Sequence, residues 1–428
     1  DYAVRPREAA VDSMDGKILV PFCIESALSG VRQRITPAEK IVYSHTFNVP
    51  QKWSGKRILL HFEASDWKTD VQVNGNDLGT HKGGYDPFTF DITSAVKKGQ
   101  KQQLTVTVTD PIDTRSQPRG KQVSRPGGIF YTPVSGIWQT VWLEPVENTY
   151  IEDLRIVPDI DTNTLRITTL TKGKSVNCTV AAAVSDGAGF RASAEGQPHS
   201  ELEIRNPFLY DITVSLRRNG KEIDRVGSCA GMRKISLGRD ENNITRIMLN
   251  NEFVFQLGPL DQGYWPESLL TPPSEEAMEY DLRFMKECGF NMLRKHVTVE
   301  PRRFYYLCDK MGLLVWQDMP SGGGFVGRSS PDWNRPPESA RQFQRELKRM
   351  IETRFNHPSI IMWVPFNEGW GQFRTEQIVS FIKRLDPYRL INNASGWADR
   401  NCGHVIDFHA YPGPAAPEPE PGRAAVLG

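Results

Sequence analysis

The sequence holds no apolar run near the ~18 residues of a membrane span, so no helical crossing is expected within it. Charge of either sign is not in excess. With 52 Lys and Arg against 51 Asp and Glu, the net charge is +1, which excludes a strongly basic nucleic-acid binder or a polybasic membrane binder. The expected ligand is neutral or close to it. Cysteine is scarce, and the six residues Cys23, Cys178, Cys229, Cys288, Cys308 and Cys402 show neither C-x-x-C spacing nor small-domain density. That argues against a zinc site or a disulfide framework and reads as free thiols. No glycine-rich phosphate fingerprint follows a strand pattern, which weighs against a nucleotide fold. No signal peptide is visible. Because the chain opens at Asp1 rather than Met, its beginning is expected to be missing. A periplasmic or secreted setting ranks ahead of a cytoplasmic one, and the oligomeric state is left open.

Glycine, proline and tryptophan are present in number. At 428 residues, with 35 Gly, 30 Pro and 10 Trp, the chain suits two to four domains and turn-rich β structure. Tryptophan also suits sugar faces, although most such residues are core. From Lys17 to about Val146 short alternating segments recur: Ile41–Val49, Arg57–Phe62, Asp70–Val73 before an Asn74-Gly75 turn, Leu104–Val108 and Thr140–Leu143. They predict a sandwich or jelly roll over 1–146. Leu165–Thr168, Val176–Val184, Tyr210–Leu216 and an Asn219-Gly220 hairpin signal predict an immunoglobulin-like sandwich over 147–237. Near Ile247 the period changes. Ser274 caps a helix with apolar positions Met278, Leu282, Phe284, Met285 and Cys288, ended by Gly289. Strands Asn291–Arg294, Leu313–Trp316, Arg389–Ile391 and Val405–Phe408 then alternate with helices Arg302–Met311, Ser339–Phe355 and Gln377–Leu385. That alternation predicts a (β/α)8 barrel, incomplete in this sequence, over 238–428. The fold class is multidomain: two β-sandwiches and an α/β barrel.

The densest signal lies in Arg354–Gln372, RFNHPSIIMWVPFNEGWGQ. Asn356-His357-Pro358 stops a helix, Ile360–Val364 is apolar throughout as a doubly buried parallel strand must be, and Asn367-Glu368 follows at its C-terminal end. A barrel builds its active site at that end. Other polar groups gather at predicted strand ends: Arg294, Lys295 and His296; Asp318; Trp397; His409 and Tyr411.

The Asn-His-Pro-Ser-Ile-Ile lead and the Asn-Glu that follows the strand resemble the acid/base signature of glycoside hydrolase family 2, the β-galactosidase, β-glucuronidase and β-mannosidase group. Asp70–Gly75, Gly136–Val141 and Asn206–Tyr210 resemble recurrent segments of its two β domains. The resemblance spans almost the whole chain and implies a retaining β-glycosidase acting on terminal β-linked sugars, β-galactosidase first, needing no cofactor and taking a glycoside or oligosaccharide as partner. Glu368 would be the general acid and then the base, with a carboxyl pKa raised by low dielectric or by a second carboxylate. Asn367 would bind the sugar 2-hydroxyl. Arg294 and His296 resemble the Arg and His after the second strand, although Arg-Lys-His is tighter than the usual Arg-x-x-His. Asp318 either holds a sugar hydroxyl, the preferred reading, or pairs with Arg294. Tyr411 resembles a tyrosine near the nucleophile, and His409 stands beside it. Trp370, Trp397 and Trp265 are stacking platforms for a sugar face or core. The first barrel strand leads into Gly258–Pro266, without the histidine cluster of β-galactosidases, and Gly312–Asp318 looks like a β-mannosidase segment. The family nucleophile is a Glu ending a later strand. Ala424–Gly428 looks like that strand, Glu418 and Glu420 are poor substitutes, and the nucleophile is therefore expected beyond the chain end. A carbohydrate-binding protein without turnover is the reading from another class.

Overall fold

The computed structural model describes residues 1–187, 191–196, 199–203, 209–413, 415 and 417–428. Alternation in the first block becomes a two-sheet sandwich. A five-stranded antiparallel sheet, in the order Tyr2–Pro6, Glu39–Phe47, Gln102–Thr109, Lys68–Val73 and Asn76–Lys82, faces a three-stranded sheet of Val141–Val146, Arg57–Phe62 and Phe88–Asp91. Every second residue points inward, so Ile41 and Tyr43, Val71 and Val73, Val106 and Val108 meet in one core with Leu60 and Phe62.

The second block forms sheets of three and four strands around Leu165, Ile167, Val180, Val184, Ile212 and Val214. Asn219 and Gly220, at φ 50° and 77°, make the two-residue turn between Leu209–Arg218 and Lys221–Gly231. Of the segment Asn206–Tyr210, residues Asn206, Pro207 and Phe208 lie outside the described residues. Strand and helix do not alternate directly after 238. Ile235–Arg239, Thr245–Leu249 and Glu252–Phe253 first form a small antiparallel sheet.

Seven parallel strands follow: β1 (Leu260–Asp261), β2 (Met292–Lys295), β3 (Leu314–Asp318), β4 (Ile360–Val364), β5 (Leu390–Ile391), β6 (Val405–Phe408) and β7 (Ala424–Leu427). The first five are hydrogen-bonded in sequence order, and β6 pairs with β7. Four helices intervene: α1 (Glu275–Glu287), α2 (Arg302–Met311), α3 (Pro337–Arg354) and α4 (Thr375–Leu385). The strands' period of two divides their side chains. Met292, Trp316, Met362, Val364, Leu390, Val405 and Ala424 share an inner cluster, closed from below by Ile235 and Ile247 of the small sheet. Leu293, Val315, Trp363 and Ile391 face outward onto Leu282, Phe304, Phe343, Leu347 and Ile382 of the helices. Because β2 to β7 contribute to one inner core, they form one curved wall. A cavity of about 790 Å³ opens between β1 and β7, lined by Leu257, Met292, Trp316 and Leu427 among others.

One helix face differs from expectation. Met278 and Leu282 of α1 are buried and Met285 packs against the same core, whereas Phe284 and Cys288 are exposed. At 100° per residue, positions 278, 282 and 285 make one stripe. Phe284 falls on the stripe of Tyr280, against which its ring stacks. All six cysteines are free thiols, and no described helix is long and apolar enough to cross a membrane.

Candidate active site

The inner-facing parity that buries Met292 also turns Arg294 inward at the C-terminal end of β2, and the same parity turns Asp318 inward on β3. Lys295 goes the other way, into ion pairs with Asp261 and Glu300. Arg294 is the hub of the site and is almost fully buried. Its Nε and Nη2 donate to the two oxygens of Asp318 at 3.0 and 2.9 Å, Nη2 also to Asn367 Oδ1 at 2.8 Å, and Nη1 to Ser395 Oγ at 2.6 Å. A forked, permanently charged guanidinium suits this shared task.

Of the two expected roles of Asp318, the structure shows the pairing with Arg294. Besides both Arg294 bonds Asp318 accepts from Val297 N–H and lies 3.1 Å from His296 Nδ1, and it is 1% exposed. Both of its oxygens are engaged, Oδ2 by three partners. Burial is the largest influence and opposes its charge, but Arg294 and His296 together outweigh it and hold the carboxyl below its ordinary range. His296 is buried too, and desolvation lowers its pKa against the pull of Asp318.

Glu368 follows β4 with φ 51°, a left-handed conformation that costs a non-glycine residue of order 1 kcal/mol or more. Surrounding bonds hold it there: Glu368 N–H donates to Ser395 O at 2.8 Å and Trp397 Nε1–H to Glu368 O at 3.0 Å. Gly369 continues at φ 73°, where a Cβ would strike the Val326 carbonyl. The carboxylate is half-buried, with Oε1 3.0 Å from His409 Nδ1. The expectation of a raised pKa is overturned with the groups present. The His409 hydrogen bond is the largest influence and, with the fields of His409, His296 and Lys121, outweighs desolvation, so the carboxyl lies below its ordinary value.

Tyr411 is exposed, edge-on to His409, and its phenol is raised by burial and then by the Glu368 charge. Trp397 is partly buried against His409. Trp370 is not an open platform. Phe325 stacks on it at 5.6 Å, Phe130 abuts it edge-on and the Arg119 guanidinium lies 5.6 Å from its ring. Trp265 lines a separate cleft of about 540 Å³ beside α1.

Three residues join that sequence reasoning did not single out. Ser395 bridges Arg294 and Asp407, with Oγ 2.5 Å from Asp407 Oδ2 and 2.8 Å from His409 Nε2. Asp407 also accepts from Asn392, and burial keeps its pKa raised, opposed only in part by Arg294. The spacing of Val405, Asp407 and His409, two apart on a strand, was the available signal for Asp407. Lys121 comes from the first sandwich on a loop clamped to the barrel by Arg119 and Gly120 N–H, which both donate to Ser321 O. Burial lowers the Lys121 pKa, and its ammonium feels Glu368, Arg294 and Asp318.

Two family models match the chain. Residues 20–143 match the sugar binding domain of glycosyl hydrolases family 2, and residues 273–412 its TIM barrel domain. The chain belongs to glycoside hydrolase family 2. Members of this family are retaining β-glycosidases, and the relatives divide by sugar. A β-galactosidase of Thermoanaerobacter pseudethanolicus is 28% identical over 351 residues, 76% of this chain and 44% of that protein. A β-glucuronidase of Bacteroides fragilis is 25% identical over 401 residues, 86% of this chain and 56% of that protein. The chain thus spans about half the length of these curated relatives. Among solved structures, the β-D-glucuronidase of Dictyoglomus thermophilum superposes with a TM-score of 0.74 at 20% identity, over 91% of this chain and 70% of that one. A β-glycosidase from Bacteroides vulgatus gives 0.71 at 23%, over 87% and 48%. These likenesses show the family 2 fold.

Proposed function

We propose that Glu368 is the general acid/base of a retaining β-glycosidase. The observation that carries the reading is one carboxylate in a strained backbone turn at the C-terminal end of β4, half-open to solvent, beside an Asn367 amide fixed by Arg294. In the first half-reaction the Glu368 O–H bond breaks as the glycosidic oxygen takes the proton and keeps the C–O electron pair. A second carboxylate, ~5–5.5 Å away in retaining enzymes, then holds the sugar as an ester. In the second half-reaction Glu368 takes a proton from water, whose oxygen joins the anomeric carbon as the ester C–O bond breaks and its electron pair returns to the second carboxylate. A neighbouring carboxylate raises the pKa of Glu368 by like-charge repulsion, countering the His409 bond. Asp407 is a poor candidate for that partner, since burial disfavours its charge. Glu420 is engaged by Arg423. Asn367, its carbonyl anchored on Arg294, offers its amide N–H to a sugar hydroxyl.

For the sugar, a terminal β-galactoside and a β-glucuronide are equally supported, since relatives of both names match over three quarters of the chain or more. Kinetics of the full-length gene product on nitrophenyl galactoside, glucuronide and mannoside decide between them. Its Glu368→Gln variant is expected to lose at least ~100-fold in kcat/KM on poor leaving groups, far less on dinitrophenyl glycosides, and to regain turnover with azide. Unchanged hydrolysis of poor leaving groups by that variant overturns the role of Glu368.

A further inference from the structure

Behind Glu368 lies a continuous hydrogen-bonded line: Glu368 Oε1 to His409 Nδ1 at 3.0 Å, His409 Nε2 to Ser395 Oγ at 2.8 Å, and Ser395 Oγ to Asp407 Oδ2 at 2.5 Å. Arg294 Nη1 meets both Ser395 Oγ, at 2.6 Å, and His409 Nε2, at 3.3 Å. An ionised carboxylate only accepts, so the 3.0 Å contact places a proton on Nδ1, which is given to Glu368 Oε1. The Nε2 edge of the ring is held by the hydroxyl of Ser395, whose one proton goes to Asp407, and by the Arg294 guanidinium. The ring cannot turn over freely. It is 6% exposed, edge-on to Trp397 and Tyr411, and a Cβ at Gly396 would stand 2.6 Å from Nδ1.

We propose that His409 is a positioning residue that dedicates Glu368 Oε1 to accepting the Nδ1–H bond, so that Oε2 alone carries the catalytic proton. This rests on Glu368 being the acid/base. An unconstrained carboxyl can hold its proton on either oxygen, and one of the two faces away from the glycosidic bond. With Oε1 occupied by a donor, a proton there would oppose N–H to O–H, so the acid form places it on Oε2. When Glu368 is ionised the same bond stabilises the anion, the form that serves as base. The other groups facing Glu368 are Tyr411, His296, Lys121 and Arg294; Arg294 and Tyr411 also touch the His409 ring, and changing His409 leaves all four side chains present. Asp407 and Ser395 act one step further out, as the anchors that hold the Nε2 edge of the ring in place.

The test is the pH profile of kcat/KM for the full-length gene product, whose basic limb reports loss of the Glu368 proton. His409→Phe keeps a flat ring without the donor. Its basic limb is expected to move up by about one pH unit, with kcat lowered more than KM is raised, while His409→Gln, which keeps an N–H, moves it by less than half as much. A limb that stays put or moves down in His409→Phe overturns the proposal, as does an equal shift in both variants. Should His409→Phe fail to fold, two-bond proton–nitrogen spectra of the unaltered protein decide: a proton on Nδ1 supports the assignment and an unprotonated Nδ1 overturns it. Glu368→Gln with azide rescue, run alongside, separates the two readings. Rescue with an unmoved His409→Phe limb sinks only the role of His409, whereas absence of any Glu368→Gln defect sinks the acid/base assignment itself.

Discussion

Arg294 carries its charge into an almost dry site, and the cost of that desolvation is met by Asp318, Asn367 and Ser395 acting together. Asp318 is the only one of the three with a full negative charge. Asp318→Asn keeps the shape and removes the charge, leaving a guanidinium that is 3% exposed with its nearest anion gone. Breaking a buried pair from one side costs about 3 kcal/mol or more, and the urea midpoint is expected to fall accordingly. Activity should fall with it, because Arg294 fixes the carbonyl of Asn367 and holds the Nε2 edge of His409. A variant of unchanged stability, with only KM raised, would mean that Asp318 serves the substrate instead.

The loop from Gln117 to Gln122 shows how an element of one sandwich becomes part of a barrel site. Gly120 has φ 62°, and a Cβ there would stand 2.5 Å from Val297 O, the carbonyl of the residue after His296. Gly128 has nearly the same φ, 59°, with nothing within 4 Å. Gly128→Ala is therefore expected to cost only the ~1 kcal/mol of a left-handed alanine, and Gly120→Ala at least ~1 kcal/mol more, because the clamp on Ser321 must shift. Denaturant titration of the two variants measures the difference, and equal losses would show that the loop gives way freely. This element also marks the limit of what could be read beforehand. Helix α2 was readable to the residue, since Pro301 precedes it and Gly312 follows at φ 67°, and both stop signals act locally. The apolar run of β4 gave its burial for the same reason, and the polar residues after each strand gave Arg294, Asn367 and Glu368. Ser395 follows a strand of only two residues and had no periodic signal. Lys121 reaches the site only through the docking of two domains. The closure of Trp370 under Phe325 and Phe130, and the capture of Asp318 by Arg294, are likewise contacts between distant segments.

At the scale of the whole molecule, the seam between the first sandwich and the barrel is unusual in its buried acids. Cys23, Ala64, Tyr85, Val134 and Trp138 of the sandwich share one hydrophobic cluster with Leu282, Phe304 and Phe343 of the barrel. Along it lie Glu25, Asp66, Asp110 and Glu346, all raised chiefly by desolvation, Asp110 to about 6 and Glu25 to about 8. Glu25 accepts from Ser135 N–H through Oε2, while Oε1 has no partner. Near pH 4 or below, Glu25 is protonated in folded and unfolded chains alike, and the contribution of the neutral carboxyl is fully present. As pH rises past 4.5, the ordinary value, the unfolded chain releases the proton while the folded one keeps it, so stability falls until the folded value near 8 is passed. Stability lost between pH 4.5 and 8 from this residue alone is on the order of 4 kcal/mol. Glu25→Gln cannot ionise and keeps an acceptor for Ser135. Its Tm is expected to differ little from the parent at pH 5 and to exceed it by several degrees at pH 8.5, where the parent holds an unpaired charge in the seam. A Tm difference that is the same at both pH values would show that Glu25 titrates as it does in water, and that the docking of sandwich on barrel is not linked to its proton.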